Sequence, residues 1–143
     1  MTRLLLITYA AILSGGLAVA EPLVSYVVEN ASSIPEPLTG LAGNADRGAM
    51  LFADRGCTAC HRAPGHEDAP RVGPDLSGIA DERSAGQIRL MIVNPAIRDP
   101  EIAMPAYYAI GQAGQVPDEL VGRTRLTSEE VEDLVAWLST LDS

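Results

Sequence analysis

Apolar residues recur at helical spacing in three stretches of the 143-residue chain. The clearest is carboxy-terminal. Val131, Leu134, Val135, Leu138 and Leu141 fall three or four residues apart with Trp137 beside them, which predicts one helix with an apolar stripe. Ahead of it, Thr127-Ser128-Glu129-Glu130 has the form of a capping box. The Thr127 hydroxyl can accept from the Glu130 amide while the Glu130 carboxylate reaches back, with Leu126 and Val131 in the flanking staple positions. A first helix is expected from Asn44, a suitable N-cap, with Asp46 in the first turn where the helix dipole favours negative charge. Gly48, Leu51, Phe52 and Arg55 keep the helical period, and Gly56 ends it. A glycine inside a helix costs about 1 kcal/mol against alanine. Gly48 therefore suggests a close backbone crossing, with the carboxy-terminal helix as its partner. A third helix opens at Ser84-Ala85-Gly86-Gln87, runs through Ile88, Met91 and Ile92, and stops at Asn94-Pro95, where proline bars continuation. No window alternates as a strand would, and there is no internal repeat. The expected class is all-α, three to four short helices with long connections.

The two segments before Asn44 read differently. Residues 1–20 have a positive start at Arg3, an apolar run from Leu4 to Leu13 and the small-x-small triplet Ala18-Val19-Ala20. That is the layout of a secretory signal peptide removed after Ala20. The run is broken by Ser14-Gly15-Gly16 and falls short of the ~20 apolar residues a membrane span needs. Residues 21–43 form an amino-terminal extension. Leu23 to Val28 is apolar, but Ser32-Ser33, Pro35, Pro37, Gly40 and Gly43 leave no helical period in the rest of the segment. It reads equally as a mobile leader or as an arm that packs along a partner.

Charge removes one class of function. The formal net charge is −9, and all ten basic residues are arginine. No basic stripe is present to neutralise phosphates, so nucleic acid is not the expected partner. The acidity suits a soluble exported protein. After the leader the only aromatic residues are Tyr26, Phe52, Tyr107, Tyr108 and Trp137. A domain of roughly 100 residues is already marginal in surface-to-volume terms, and this one lacks large core side chains. A bound apolar group would supply the missing bulk.

Cys57-Thr58-Ala59-Cys60-His61 indicates which group. Two thiols three residues apart lie on one side of a helical turn, so each can add to a vinyl group of one haem, and the next residue, His61, then sits beneath the iron. A redox C-x-x-C disulfide would need a βαβ setting that this chain lacks. A zinc site would need two more ligands, and His66 is the one other Cys or His. The reading is one covalent haem c on Cys57 and Cys60 with His61 as axial ligand. For the opposite face the candidates are His66, Met50, Met91 and Met104. Met50 and Met91 lie in expected helices, where methionine ordinarily fills core, and His66 is only five residues past His61. Met104 lies in an extended loop stiffened by Pro105 and is the choice; a thioether there favours reduced iron. Gly73-Pro74-Asp75-Leu76 is either a turn whose carbonyl fixes His61 through Nδ1 or an ordinary loop turn. Tyr107 and Tyr108 should lie near the distal haem edge, on the haem or facing a partner.

Together these residues resemble the small single-haem cytochrome c family. The Gly48/Phe52 helix against the Leu134/Trp137 helix is similar to that family's core contact, and Gly73-Pro74 stands where its histidine-supporting proline lies. A closer resemblance, over about residues 37 to 141, is to the SoxX family, the monohaem subunits of SoxAX complexes. It rests on Pro37-Leu38-Thr39-Gly40, on Gly43-Asn44-Ala45-Asp46-Arg47-Gly48, on Met104-Pro105-Ala106-Tyr107-Tyr108 and on Leu126 to Leu141. The resemblance implies a cytochrome c domain over 44–143, with Pro74 supporting His61 and with His61 and Met104 as axial ligands. It also implies a heterodimer with a SoxA-like dihaem or monohaem cytochrome. In that family the complex, an L-cysteine S-thiosulfotransferase of the periplasm, joins thiosulfate to a cysteine of a SoxYZ carrier, a reaction in which the two sulfur substrates together lose two electrons. The bond-forming site is assigned to SoxA, and SoxX passes electrons to a downstream acceptor. No catalysis is expected from this chain alone, because both of its thiols are consumed by haem. The alternative is a free periplasmic cytochrome that shuttles electrons between respiratory partners; a peroxidase or gas sensor would need an open iron position.

Overall fold

The computed structural model describes residues 22–143, so the expected leader lies outside the described residues. Helix α1 spans Ala45–Asp54, α2 Ile79–Glu82, α3 Ala85–Val93 and α4 Ser128–Leu138, with 3-10 turns at Cys57–Ala59, Pro95–Ile97 and Asp118–Leu120. The three expected helices are present at their expected caps. The Asn44 side chain accepts from the Arg47 amide at 2.9 Å. Ser84 and Gln87 close one capping box, and Thr127 and Glu130 close another. The short α2 and the 3-10 turns had no periodic signal. Among the described residues β-pairing is limited to isolated bridges, Glu29 with Ser33, Gly111 with Val121 and Ala113 with Val116, and no helix is long and apolar enough to cross a membrane. The fold is a small all-α cytochrome c-like arrangement.

Helix α1 crosses α4 at Gly48. A Cβ at that position would run into the Asp133 carbonyl and come within 2.8 Å of the Trp137 Cβ, so only glycine lets the two backbones meet this closely. One turn further on, Phe52 packs its ring on Trp137, centroids 5.0 Å apart at 56°, the tilted geometry that aromatic pairs favour. Val131, Leu134, Val135 and Leu138 on α4 and Ile88, Leu90, Ile92 and Val93 on α3 complete the buried core.

Two acids on α4 turn inward, which the apolar period of the sequence did not indicate. Glu132 holds Arg89 of α3 in a two-point pair, Nε to Oε1 and Nη2 to Oε2 both at 2.8 Å. Both side chains are almost fully buried, 2% and 3% exposed. Arg89 Nη1 also donates to the Ile34 carbonyl at 2.6 Å, and the Leu38 amide donates to Glu132 Oε1 at 2.8 Å. Next to it, Asp133 accepts from Arg47 Nε at 2.8 Å and from the Asn44 amide at 2.6 Å. These bonds fix the start of α1 and the extension to α4.

The extension is therefore part of the core. Ile34 is 1% exposed and Leu38 6%, and the chain reverses at Asn30 and Ala31, both with φ near +50°. Neither a loose leader nor an arm lying wholly on a partner describes this segment. The sequence pattern missed it because its anchors are backbone amides and carbonyls, which carry no residue-type signal.

Removing one member of a buried ion pair leaves the other charge uncompensated, at a cost of about 3–5 kcal/mol. Glu132→Ala in the haem-loaded protein should lose about that much in denaturant unfolding. Arg55→Ala removes the solvent-facing pair to Glu130 and should lose less than about 1 kcal/mol. Equal losses in the two variants would refute the special weight given to the buried pair.

Candidate functional site

The helical body leaves one cleft whose wall is almost wholly apolar. Phe52, Leu76, Ile79, Ile88, Ile92, Leu126, Leu134 and Leu138 line it. Cys57, His61, Pro74, Met91, Met104 and Tyr107 face the same space. The site residues expected from the sequence thus converge on one cavity, although Cys60, on the outer side of its turn, is exposed.

The approach to this wall begins where α1 ends. The chain passes Gly56 into the 3-10 turn Cys57–Ala59, and the Cys60 and His61 amides both donate back to the Cys57 carbonyl, at 3.1 and 3.0 Å. This single tight turn puts the two thiols and the imidazole within one residue cluster, and no disulfide joins the thiols. Burial pushes the Cys57 thiol up to about 11, against a smaller lowering by a backbone hydrogen bond. The thiol stays protonated at neutral pH until it is alkylated, after which it has no proton to lose.

His61 is held by the opposite loop. Its Nδ1 lies 2.9 Å from the Pro74 carbonyl. A carbonyl only accepts, so the proton resides on Nδ1 and Nε2 keeps its lone pair for a metal. Spacing alone left this turn open between two roles, and in the structure its Pro74 carbonyl lies within hydrogen-bond reach of the imidazole. Gly73 is required here as well, because a Cβ on it would collide with the imidazole ring, 2.6 Å from Nδ1. Two backbone bonds, Gly73 amide to Cys60 carbonyl at 2.8 Å and Leu76 amide to Arg62 carbonyl at 2.9 Å, lace the loop to the Cys-His turn. Next to Pro74, the Ser77 hydroxyl and amide hold the Asp75 carboxyl below its usual range.

The candidates for the other face separate clearly. His66 is outside the cleft, its ring 5.7 Å from that of Phe52. Met50 is 61% exposed, so it is neither a cleft residue nor the core filler its helical position suggested. Met91 and Met104 both line the cleft. Met91 sits on the fixed frame of α3, Met104 on the loop. Tyr107 lines the cleft, and its hydroxyl is held above the usual range chiefly by burial. Tyr108 is 2% exposed, so this ring belongs to the core and is not available to face a partner.

Sequence reasoning did not find Arg83. It stands at the C-cap of α2 and is the one permanently charged side chain on the cleft wall among the described residues. Its guanidinium makes none of the ion pairs seen elsewhere in those residues. The chemistry of this donor set fits a haem: an apolar slot for the ring, thiols at one edge, imidazole and thioether for the iron, and a guanidinium for a propionate carboxylate, which is costly to bury unpaired.

A family model for cytochrome c matches residues 45–142. A search of curated proteins finds no significant match. Among solved structures, a chain of the crystal structure of SoxXA from P. pantotrophus matches with a TM-score of 0.68 at 26% identity, covering 84% of this chain and 95% of that one.

With two methionines on the wall, substitution separates them. Met104→Ala should keep the haem attached, abolish the weak near-infrared sulfur-to-iron absorption, and lower the potential by on the order of 0.1 V, within the ~0.8 V range that axial ligands set. Met91→Ala should keep the absorption. The reverse pattern would assign the iron to Met91.

Proposed function

The chain belongs to the cytochrome c family, and on that premise we propose that it is the monohaem electron-transfer subunit of a periplasmic SoxAX-type complex. As a member of the family it holds one covalent haem c. We assign the thioether links to Cys57 and Cys60, the axial positions to His61 and Met104, the support of His61 to the Pro74 carbonyl, and the counter-charge of a propionate to Arg83. The observation that carries the reading is the convergence of His61, with Nδ1 already committed to Pro74, and Met104 on one apolar cleft.

The haem supplies a one-electron Fe(III)/Fe(II) couple. The protein's contribution is electrostatic and steric. The apolar wall keeps water from the ring and disfavours the more highly charged oxidised state. Pro74 keeps His61 in one orientation, so His61 would not have to rearrange when an electron arrives. With His61 and Met104 both committed to the iron, no position would be left open for oxygen or peroxide, which suits transfer over activation.

The partner reaction is the one that the resemblance to the SoxX family implies, and the likeness to the SoxXA chain, over nearly the whole of that chain, supports it. Joining the outer sulfur of thiosulfate to a carrier cysteine forms one S–S bond and releases the thiol proton and two electrons. This chain adds no nucleophile, because its two cysteines are both taken up by thioether bonds. Its part is to accept those electrons one at a time from a SoxA-like subunit, opposite a SoxYZ-like carrier, and pass them to a downstream acceptor.

Association with the partner is the test. The chain has no lysine to ring the haem edge, and Tyr108 is buried. The contact is therefore assigned to the loop from Ala109 to Arg125, where Ile110 is 47% exposed and Val121 39%. Co-expression with a SoxA-like cytochrome should yield a stable heterodimer in gel filtration, weakened only modestly between low and moderate salt. Ile110→Asp with Val121→Asp should weaken it about tenfold or more. A chain that stays monomeric beside every such partner would instead be a free electron shuttle.

A further inference from the structure

We infer that the amino-terminal segment 22–38 is a brace for the loop that presents Met104, acting through one hydrogen bond from the Val24 amide to the Tyr108 hydroxyl. The inference rests on the assignment of Met104 as an iron ligand.

The loop has little to hold it near the methionine. Among the described residues, the backbones of Ala103, Met104 and Ala106 make no hydrogen bond, and the nearest upstream tie is Ile102 amide to Asp99 carbonyl at 3.2 Å. Its anchorage comes just downstream. The Tyr107 and Tyr108 amides donate to the Ile92 and Val93 carbonyls at the end of α3, at 3.1 and 3.2 Å, and the Arg125 and Leu126 amides both donate to the Tyr107 carbonyl at 3.0 Å. These ties fix the backbone three and four residues after Met104. The Tyr108 side chain then runs through the core, 2% exposed, and its hydroxyl accepts from the Val24 amide at 3.0 Å.

The segment that carries the other end of that bond is anchored ten or more residues further on. The Ile34 amide donates to the Gly86 carbonyl at 3.0 Å, Arg89 reaches the Ile34 and Pro35 carbonyls, and the Leu38 amide is held by Glu132. Tyr26 and Val28 pack on the core between Val24 and these anchors. A tyrosine buried for packing alone would do as well as phenylalanine. One whose hydroxyl reaches an amide 84 positions away links two segments that nothing else in the described bonding joins. With the brace in place, the route by which Met104 would swing away from the cleft is closed at its downstream end.

Loss of a buried hydrogen bond changes an opening equilibrium by about three- to tenfold. The experiment measures how fast imidazole displaces the sixth ligand of the oxidised, haem-loaded protein, in wild type, Tyr108→Phe, Val24→Pro and the double variant. Tyr108→Phe removes the acceptor and Val24→Pro removes the donor without touching the ring, so either alone can decide. Each should speed displacement about three- to tenfold while the near-infrared sulfur-to-iron absorption persists. The double variant should be no faster than the singles, because both remove the same bond. Unchanged rates, or effects that multiply in the double variant, would overturn the brace. Met104→Ala in the same series tells the two failures apart: if its absorption is that of wild type, the ligand assignment is wrong, whereas loss of the absorption with unaffected Tyr108→Phe kinetics removes the brace alone.

Discussion

The apolar side chains of α3, α4 and the end of α1 face an opening that none of them can close. Phe52, Tyr107 and Trp137 are the few large rings near it, and Leu76, Ile79, Met91 and Met104 of its wall are only partly buried. Apolar surface left facing water in this way forfeits both hydration free energy and dispersion contacts. A flat, rigid, apolar cofactor restores both at once. The cleft thus explains features that otherwise look unrelated, including the low aromatic content, the short helices and the long connections. Each connection that borders the cleft brings one functional group to it: the Cys-His turn after α1, the Gly73-Pro74 loop, α2 with Arg83, and the Met104 loop.

Placement of those groups depends on α4, although α4 carries no ligand. Gly48 lets α1 lie against it, which sets where α1 ends and therefore where Cys57 and His61 begin. Asp133 holds the start of α1, and Glu132 holds α3 and the extension through Arg89. The far end of the chain fixes α2, since the Ala80 amide donates to the Leu141 carbonyl and the Ser143 amide to Asp81. Buried charge is an expensive way to join segments. Its merit here is direction: a two-point guanidinium–carboxylate pair admits one register between α3 and α4, where a leucine pair would tolerate several.

Much of this was legible in the sequence because it rests on residue type and spacing. Cys57, Cys60 and His61 form a local motif, the capping boxes at Ser84 and Thr127 are local, and an interior glycine such as Gly48 carries its own explanation. What stayed hidden is long-range or made by backbone. The contact between His61 and the Pro74 carbonyl is made by backbone, so spacing alone left that turn open and only the family resemblance pointed to Pro74. Arg83 looked like any exposed arginine until the fold set it on an apolar wall. Glu132 and Asp133 read as the polar face of an amphipathic helix, because the period locates the apolar stripe but does not report an acid that meets a buried arginine from another element. Tyr108 was expected near the distal haem edge, on the haem or facing a partner, and the core received it because the extension, read as a tail, covers that side.

The central claim is that the cofactor is a structural part of this core, and haem-free protein tests it most directly. The chain with Cys57→Ala and Cys60→Ala, followed by far-ultraviolet circular dichroism on heating, should show reduced helix and no cooperative transition. The haem-loaded wild type should unfold in one sharp step. A haem-free variant that melts cooperatively near the wild-type midpoint would contradict the account, since its helices would then close a core without the group the cleft is argued to require.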